Sequence, residues 1–192
     1  MEDGTLLRAW NALGRVDTMF TDQDVPAEGG DAILMFHSIG GGGHDNLSPT
    51  VFRSLISKLN KKVNLVDLPE LFETEADERR IALTFDDGYE DYYDHVVPIL
   101  RDFDAPSTVF IVASTLRNES VSFYKNVDGP FMSSKQLREI ADEDLVTIGN
   151  HSLTHSNLGS VRSRERLQEE IINAKKIIEN EIDVSINRFC YP

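Results

Sequence analysis

The segment Ile81-Ala82-Leu83-Thr84-Phe85-Asp86-Asp87-Gly88 indicates the fold class, because an apolar run ends abruptly in two carboxylates and a glycine. A continuous apolar run of this length is typical of a strand buried in a parallel sheet. On both sides of it, short apolar runs alternate with helical patterns. The predicted strands are 32–37, 63–66, 81–85, 107–112, 145–149 and 187–191, and the predicted helices are 48–59, 92–103, 133–142 and 164–182. This alternation predicts an α/β fold with a parallel sheet or barrel of about six strands.

Length and composition are those of one domain that buries its own core. The chain has 192 residues, of which 40% are hydrophobic and 27% charged, as expected for a single globular domain. Residues 1–30 show little pattern and are predicted to be an N-terminal lead-in, with the domain over residues 31–192. No apolar run reaches the roughly 18 residues of a membrane span, and the acidic start differs from a secretory signal. These features favour a cytoplasmic protein without a membrane partner.

Charge and cysteine content exclude further classes of protein. The net charge of −14 argues against a nucleic-acid partner, because phosphate binding needs a basic face. The single cysteine, Cys190, excludes an internal disulfide framework and a Cys-based zinc finger. The glycines at 40–43 match no phosphate-binding fingerprint and predict a mobile surface loop. None of these features predicts an oligomeric state.

Three of the predicted strands run directly into residues with catalytic chemistry. His37 ends the first strand, Asp86 and Asp87 follow the third, and the segment from His151 to His155 follows the fifth. Active sites of parallel α/β folds lie at the carboxyl ends of the strands. We therefore predict that these side chains converge on one face.

The chemistry of these residues has more than one interpretation. Asp-Asp-Gly is common turn chemistry, but a divalent cation also suits adjacent carboxylates, since it binds one and leaves the other as a base. Two histidines four residues apart, with one carboxylate, give three ligands and open positions for water and substrate. A phosphotransferase with Asp86 as nucleophile is disfavoured, because Asp86 is followed by Asp87-Gly88 and so does not begin an Asp-x-Asp sequence, and no downstream predicted strand carries a lysine.

Two segments resemble the first two motifs of the polysaccharide deacetylases, the NodB-homology family or carbohydrate esterase family four. They are Leu83-Thr84-Phe85-Asp86-Asp87-Gly88 and His151-Ser152-Leu153-Thr154-His155. Lesser similarities lie at 34–38, 106–110 and 189–192, so the resemblance covers about residues 32 to 192. It implies a distorted (β/α) barrel that removes N-acetyl or O-acetyl groups from an acetylated carbohydrate.

The resemblance also implies a role for each motif residue. Asp87, His151 and His155 would bind a divalent metal, usually zinc or cobalt, and Asp86 would be the general base. The metal would polarise the acetyl carbonyl and acidify a bound water, whose proton Asp86 would accept. His37 and Tyr191 are the predicted substrate-binding residues.

The end of the sequence departs from the family pattern. In the family's third motif an arginine lies near the base, and here either Arg188 matches by spacing or Cys190 takes that place when Pro192 aligns with the motif's proline. The second alignment is favoured. The fourth and fifth motifs, including the histidine that acts as general acid, would lie beyond Pro192, so the domain is predicted to be an incomplete barrel, truncated at its C-terminus. The alternative function is a catalytically impaired carbohydrate-binding remnant.

Overall fold

The computed structural model of the chain describes residues 30–43, 45–74, 78–117 and 130–192. The lead-in predicted for residues 1–30 lies outside the described residues, apart from Gly30. The described residues form five strands: Ala32–Phe36 (β1), Asn64–Val66 (β2), Arg80–Phe85 (β3), Ser107–Ile111 (β4) and Val146–Asn150 (β5). All pair in parallel, which confirms the predicted parallel α/β class.

Helices form in all four predicted segments, and a short helix at Glu70–Glu73 was not predicted. The helices are Pro49–Leu59 (α1), Glu70–Glu73 (α2), Val97–Arg101 (α3), Ser134–Ala141 (α4), Arg164–Gln168 (α5) and Ala174–Ile182 (α6), with π-helical turns at Tyr92–Val96 and Glu169–Asn173 and 3₁₀ turns at Ala113–Arg117 and Leu158–Ser160. The Ser133 hydroxyl and the Gln136 side chain form the predicted capping box of α4. No helix in the described ranges combines the length and apolar character of a membrane span.

Strand β3 lies at the centre of the sheet. β1 pairs along residues 81–85 of β3, while β2 pairs with residues 80–82 and β4 with residues 83–85. Because a strand has only two edges, β2 and β4 share the edge opposite β1. β5 then pairs with β4 along its whole length. The carboxyl ends of β1, β3, β4 and β5 therefore lie at the same end of the sheet. This end forms the edge at which the site lies.

An aromatic cluster packs β1 and β3 against the helices. The Phe85 ring lies 5.3 Å from Phe36, 5.8 Å from Phe52 of α1 and 5.0 Å from Tyr92, measured between ring centroids. The contacts with Phe52 and Tyr92 are edge-on and the contact with Phe36 is stacked. Both geometries add to the stabilisation that apolar burial provides. This packing fixes the strand that carries Asp86 and Asp87.

Two strand predictions differ from the structure. The segment predicted as a sixth strand, 187–191, forms a single parallel bridge between Phe189 and Asn150. In β1, Leu34 and Phe36 are buried, but Ile33 is 36% exposed and Met35 46% exposed. The prediction of a continuously buried first strand is therefore wrong. Side chains alternate across a strand, and only the helix-facing side of β1 is covered by the described residues.

Candidate metal-binding active site

The turn after β3 places two carboxylates at the edge of the sheet. The Asp86 backbone N–H donates to the Phe36 carbonyl across 2.9 Å, which continues the sheet by one residue. Asp87 and Gly88 then adopt positive φ angles of 75° and 76°, so the chain turns sharply. A Cβ atom at Gly88 would lie 2.8 Å from the Ile111 side chain. Non-glycine residues with positive φ are uncommon and cluster at functional sites.

The segment His151–His155 follows β5 in a similar way. The His151 N–H donates to the Ile111 carbonyl across 2.8 Å, and the next residues leave the sheet. Ser152 and His155 have positive φ angles of 71° and 52°. These two left-handed residues form a tight loop rather than a helical turn, and this loop brings both imidazoles to the same side.

The two loops bring Asp87, His151 and His155 together. Asp87 Oδ1 lies 3.5 Å from His151 Nε2 and 3.4 Å from His155 Nε2. The two imidazole rings are 4.9 Å apart between centroids, and the ligand atoms of all three residues lie within 4.8 Å of one another. One carboxylate and two imidazoles at this spacing can bind a single divalent ion.

His151 is held in the form that can ligate a metal. Its side chain is 2% exposed, and this burial lowers its pKa to about 4, so the ring is neutral near pH 7. Its Nδ1 lies 3.1 Å from the backbone oxygen of Cys190. Because a carbonyl only accepts hydrogen bonds, Nδ1 carries the proton and the Nε2 lone pair faces Asp87.

Asp86 lies beside this cluster in a buried environment. The residue is 7% exposed, and its Oδ1 is buried with no hydrogen-bond partner among the described residues. Burial, together with the charge of Asp87, raises the pKa of Asp86 to about 7. A carboxylate with a pKa near neutrality is suited to accept and return a proton.

Cys190, and not Arg188, faces Asp86. The Cys190 thiol donates to Asp86 Oδ2 across 3.9 Å, whereas Arg188 Nη2 lies 3.8 Å from Glu73 Oε1. This placement supports the alignment in which Cys190 occupies the position of the family's arginine. Burial and the nearby Asp86 raise the pKa of Cys190 to about 12, so the group is a thiol and a weak donor rather than a nucleophile.

The two predicted substrate-binding residues lie in different surroundings. His37 follows β1, with its Nδ1 4.0 Å from Asp45 Oδ2, and it is close enough to His151 to influence the pKa of that residue. Tyr191 is 74% exposed, and its ring packs edge-on against Phe189 with 5.2 Å between centroids.

Sequence reasoning missed Asp91, a buried acid that holds the loop after β1. Its Oδ2 accepts hydrogen bonds from the N–H groups of Ile39 and Gly41, each at 2.9 Å, and from the Ser38 hydroxyl. A Cβ atom at Gly41 would lie 2.3 Å from this oxygen. These contacts anchor the start of the loop that the sequence predicts to be mobile. The glycine at position 41 allows the carboxylate to approach the backbone. An isolated acid at a helix start gives no sequence signal for such a role.

Glu170 is a second acid that the sequence analysis did not single out. It is completely buried, and its carboxylate bonds to the loop between His151 and His155 through the Thr154 N–H, 2.8 Å away. In the sequence it is one of several acids in a helical segment, and such acids are usually solvated.

The known proteins that this chain resembles in sequence are described as deacetylases. A family model described as polysaccharide deacetylase matches residues 73–192. The Bacillus subtilis (strain 168) protein YxkH is 22% identical over 166 residues, which are 83% of this chain and 55% of that protein. The poly-beta-1,6-N-acetyl-D-glucosamine N-deacetylase of Escherichia coli (strain K12) is 36% identical over 80 residues, 39% of this chain and 12% of that protein.

A solved structure shares the fold. The Streptococcus pyogenes deacetylase PplD, in complex with acetate, matches with a TM-score of 0.70 and 20% identity over 84% of this chain and 73% of that one. This likeness confirms the predicted deacetylase-type fold, present as an open, incomplete barrel in the described residues. The chain spans about half the length of YxkH and a smaller part of the Escherichia coli relative.

Proposed function

Because the chain belongs to the polysaccharide deacetylase family, we propose that it is a metal-dependent hydrolase that removes acetyl groups from an acetylated carbohydrate. The observation that carries this proposal is the convergence of Asp87, His151 and His155, with Asp86 beside them. The domain proposed for residues 31–192 contains every residue of this site.

The donor set fits a divalent ion, which we propose is zinc, with cobalt as the alternative. Two imidazoles and one carboxylate are typical of catalytic zinc sites, which keep positions open for water and substrate. The His151 tautomer, fixed by the Cys190 carbonyl, leaves Nε2 as the ligand atom. The buried, unpartnered Asp86 Oδ1 also favours a polar occupant, because buried polar atoms are normally hydrogen-bonded.

A metal held by these three residues would polarise the acetyl carbonyl and acidify an attacking water. Asp86 accepts the proton of that water as the water attacks, and its pKa of about 7 suits this transfer near neutral pH. The burial of Asp86 strengthens its electrostatic interaction with the reacting groups. Hydrolysis releases acetate and leaves a free amine or hydroxyl on the sugar.

Substrate contacts are proposed for the two residues at the rim of the site. His37 lies after β1 at the same edge of the sheet and can bond to a sugar hydroxyl. The exposed ring of Tyr191 offers an apolar face to a sugar ring. The name of the Escherichia coli relative makes oligomers of N-acetylglucosamine the first substrates to test.

The test is acetate release from N-acetylglucosamine oligomers by the zinc-loaded protein, with bound zinc measured in parallel. We expect Asp87→Asn and His151→Ala to lose both zinc and activity. Asp86→Asn should keep the zinc and lose about 10²–10⁴-fold in turnover, while Asp104→Asn, at an exposed position away from the site, should resemble the parent.

Two results would overturn the proposal. One is a zinc affinity of Asp87→Asn and His151→Ala that equals the zinc affinity of the parent. The other is a zinc-loaded parent that releases acetate neither from N-acetylated nor from O-acetylated sugars. If Asp86→Asn abolished zinc binding and Asp87→Asn did not, the roles of the two carboxylates would be exchanged.

A further inference from the structure

We propose that Glu170 is a positioning residue that fixes the loop carrying His155 and thereby sets the metal affinity of the site. This inference rests on the proposed function, since it assigns a role toward the same ion. It concerns a residue that lies outside the two motifs and whose carboxylate bonds to Thr154 and Arg166 rather than to the three proposed ligands.

Both carboxylate oxygens of Glu170 are used. Oε2 accepts the Thr154 N–H at 2.8 Å, and Oε1 accepts the Thr154 hydroxyl. Arg166 Nη2 lies 2.7 Å from Oε1 and balances the charge. The backbone oxygen of Glu170 accepts the Leu153 N–H at 2.9 Å. One residue therefore holds the two central peptides of the loop.

The loop needs this support because its backbone cannot form regular helical bonds. Ser152 and His155 are left-handed, so each N–H must find a separate acceptor. The Ser152 N–H donates to Asn150 Oδ1 and the His155 N–H to Ser152 Oγ, both at 2.9 Å. The remaining two N–H groups, at Leu153 and Thr154, are the ones that Glu170 accepts.

The two histidines depend on Glu170 to different degrees. His151 is anchored from both sides by the carbonyls of Ile111 and Cys190 and is almost fully buried. His155 is 23% exposed and follows the two peptides that Glu170 holds. Loosening these peptides would therefore displace His155 relative to Asp87 more than it would displace His151.

The helical segment places Glu170 inward through a π-helical turn. This turn, Glu169–Asn173, interrupts the long helix at this position, and such insertions occur frequently at functional sites. Burying a carboxylate is costly, and an apolar residue of similar size is often as stable. A fully buried acid with satisfied oxygens next to a proposed ligand loop therefore points to a role in the site.

The test compares Glu170→Gln with Glu169→Gln, its neighbour in the same π-helical turn, whose side chain is about half exposed and 3.0 Å from Arg166. Glutamine keeps the length but replaces one acceptor oxygen with an NH₂ group, and it removes the charge opposite Arg166. Zinc affinity is measured by competition with a chromophoric chelator, and ligand geometry by the visible spectrum of the Co²⁺-loaded protein. Thermal unfolding of the metal-free proteins monitors the fold.

We expect Glu170→Gln to weaken zinc binding by about 10–100-fold, the usual effect of removing a group that orients metal ligands, and to change the Co²⁺ spectrum. Glu169→Gln should stay within about twofold of the parent. Thr154→Val removes the hydroxyl, which also contacts Ser156 and Arg166, but keeps the backbone N–H that Glu170 accepts. It should weaken zinc binding less, in the same direction. It keeps the test available where Glu170→Gln does not fold.

The outcomes separate this inference from the proposed function. The inference is overturned, and the proposed function left intact, by the following result. Asp87→Asn and His151→Ala lose zinc, but Glu170→Gln and Thr154→Val bind zinc as tightly as Glu169→Gln does. The proposed function is overturned if Asp87→Asn and His151→Ala bind zinc as tightly as the parent. A folded Glu170→Gln protein with weak zinc binding and normal metal-free stability supports a positioning role, because a purely structural residue would lower stability instead.

Discussion

Replacing Asp86 by asparagine should stabilise the metal-free protein at alkaline pH while it removes turnover. In the folded protein, burial and the neighbouring Asp87 raise the pKa of Asp86 to about 7 from 3.8. Between these values the folded state binds a proton that the unfolded chain has released. The free energy of unfolding therefore falls as pH rises from about 4 to about 7, and stays low above that window.

The magnitude follows from the difference between the two pKa values. Each pH unit corresponds to about 1.4 kcal/mol, so a pKa of about 7 against 3.8 destabilises the fold on the order of 4 kcal/mol at pH 8. Asparagine is neutral at every pH and nearly isosteric with aspartate. Asp86→Asn should therefore gain stability of this order at pH 8 and little at pH 4.

The assay is urea denaturation followed by circular dichroism in the presence of a chelator, at several pH values between about 4 and 8. Asp104→Asn, at an exposed position, serves as the matched control and should follow the parent. Burial lowers the pKa of His151 to about 4, so its contribution to the free energy of unfolding falls as pH falls, opposite to that of Asp86. This contribution is common to all three proteins and cancels in the comparison. Parallel pH profiles of the free energy of unfolding for the parent and Asp86→Asn would contradict the raised pKa of Asp86.

Three further substitutions test the fold by the same urea assay. Phe85→Ala should cost about 3–5 kcal/mol, because the ring is fully buried against three other aromatic rings; a loss below about 1 kcal/mol would contradict that packing. Ser133→Ala should cost about 1 kcal/mol through loss of the α4 cap, and an unchanged midpoint would argue against the cap. Arg80→Met should cost about 1.5–3 kcal/mol, since the buried guanidinium bonds to Asp31 and to the carbonyls of Glu70 and Thr74. Proteolysis near α2 should then increase, and a variant as resistant as the parent would contradict the prediction that Arg80 holds this segment.

Local patterns predicted most of the elements. The Ser133 and Gln136 cap of α4 and the apolar run of β3 depend on residues within a few positions of each other, so the sequence displays them directly. The predicted sixth strand at 187–191 reduced to one bridge at Phe189, because strand formation depends on a partner that lies far away in the chain. The exposed face of β1 has the same origin, since burial depends on what covers a strand.

The chemistry available at the site can be predicted from local sequence, which contains two adjacent carboxylates after one strand and two histidines after another. Which atoms come into contact depends on the folded chain, in which Asp87 Oδ1 lies within 3.5 Å of both imidazoles and Cys190 contacts Asp86. In the folded chain Asp91 and Glu170, which belong to no sequence motif, are buried and accept hydrogen bonds from backbone N–H groups. A carboxylate is solvated or buried according to the groups packed around it, and in a folded chain those groups come from segments that are distant in sequence.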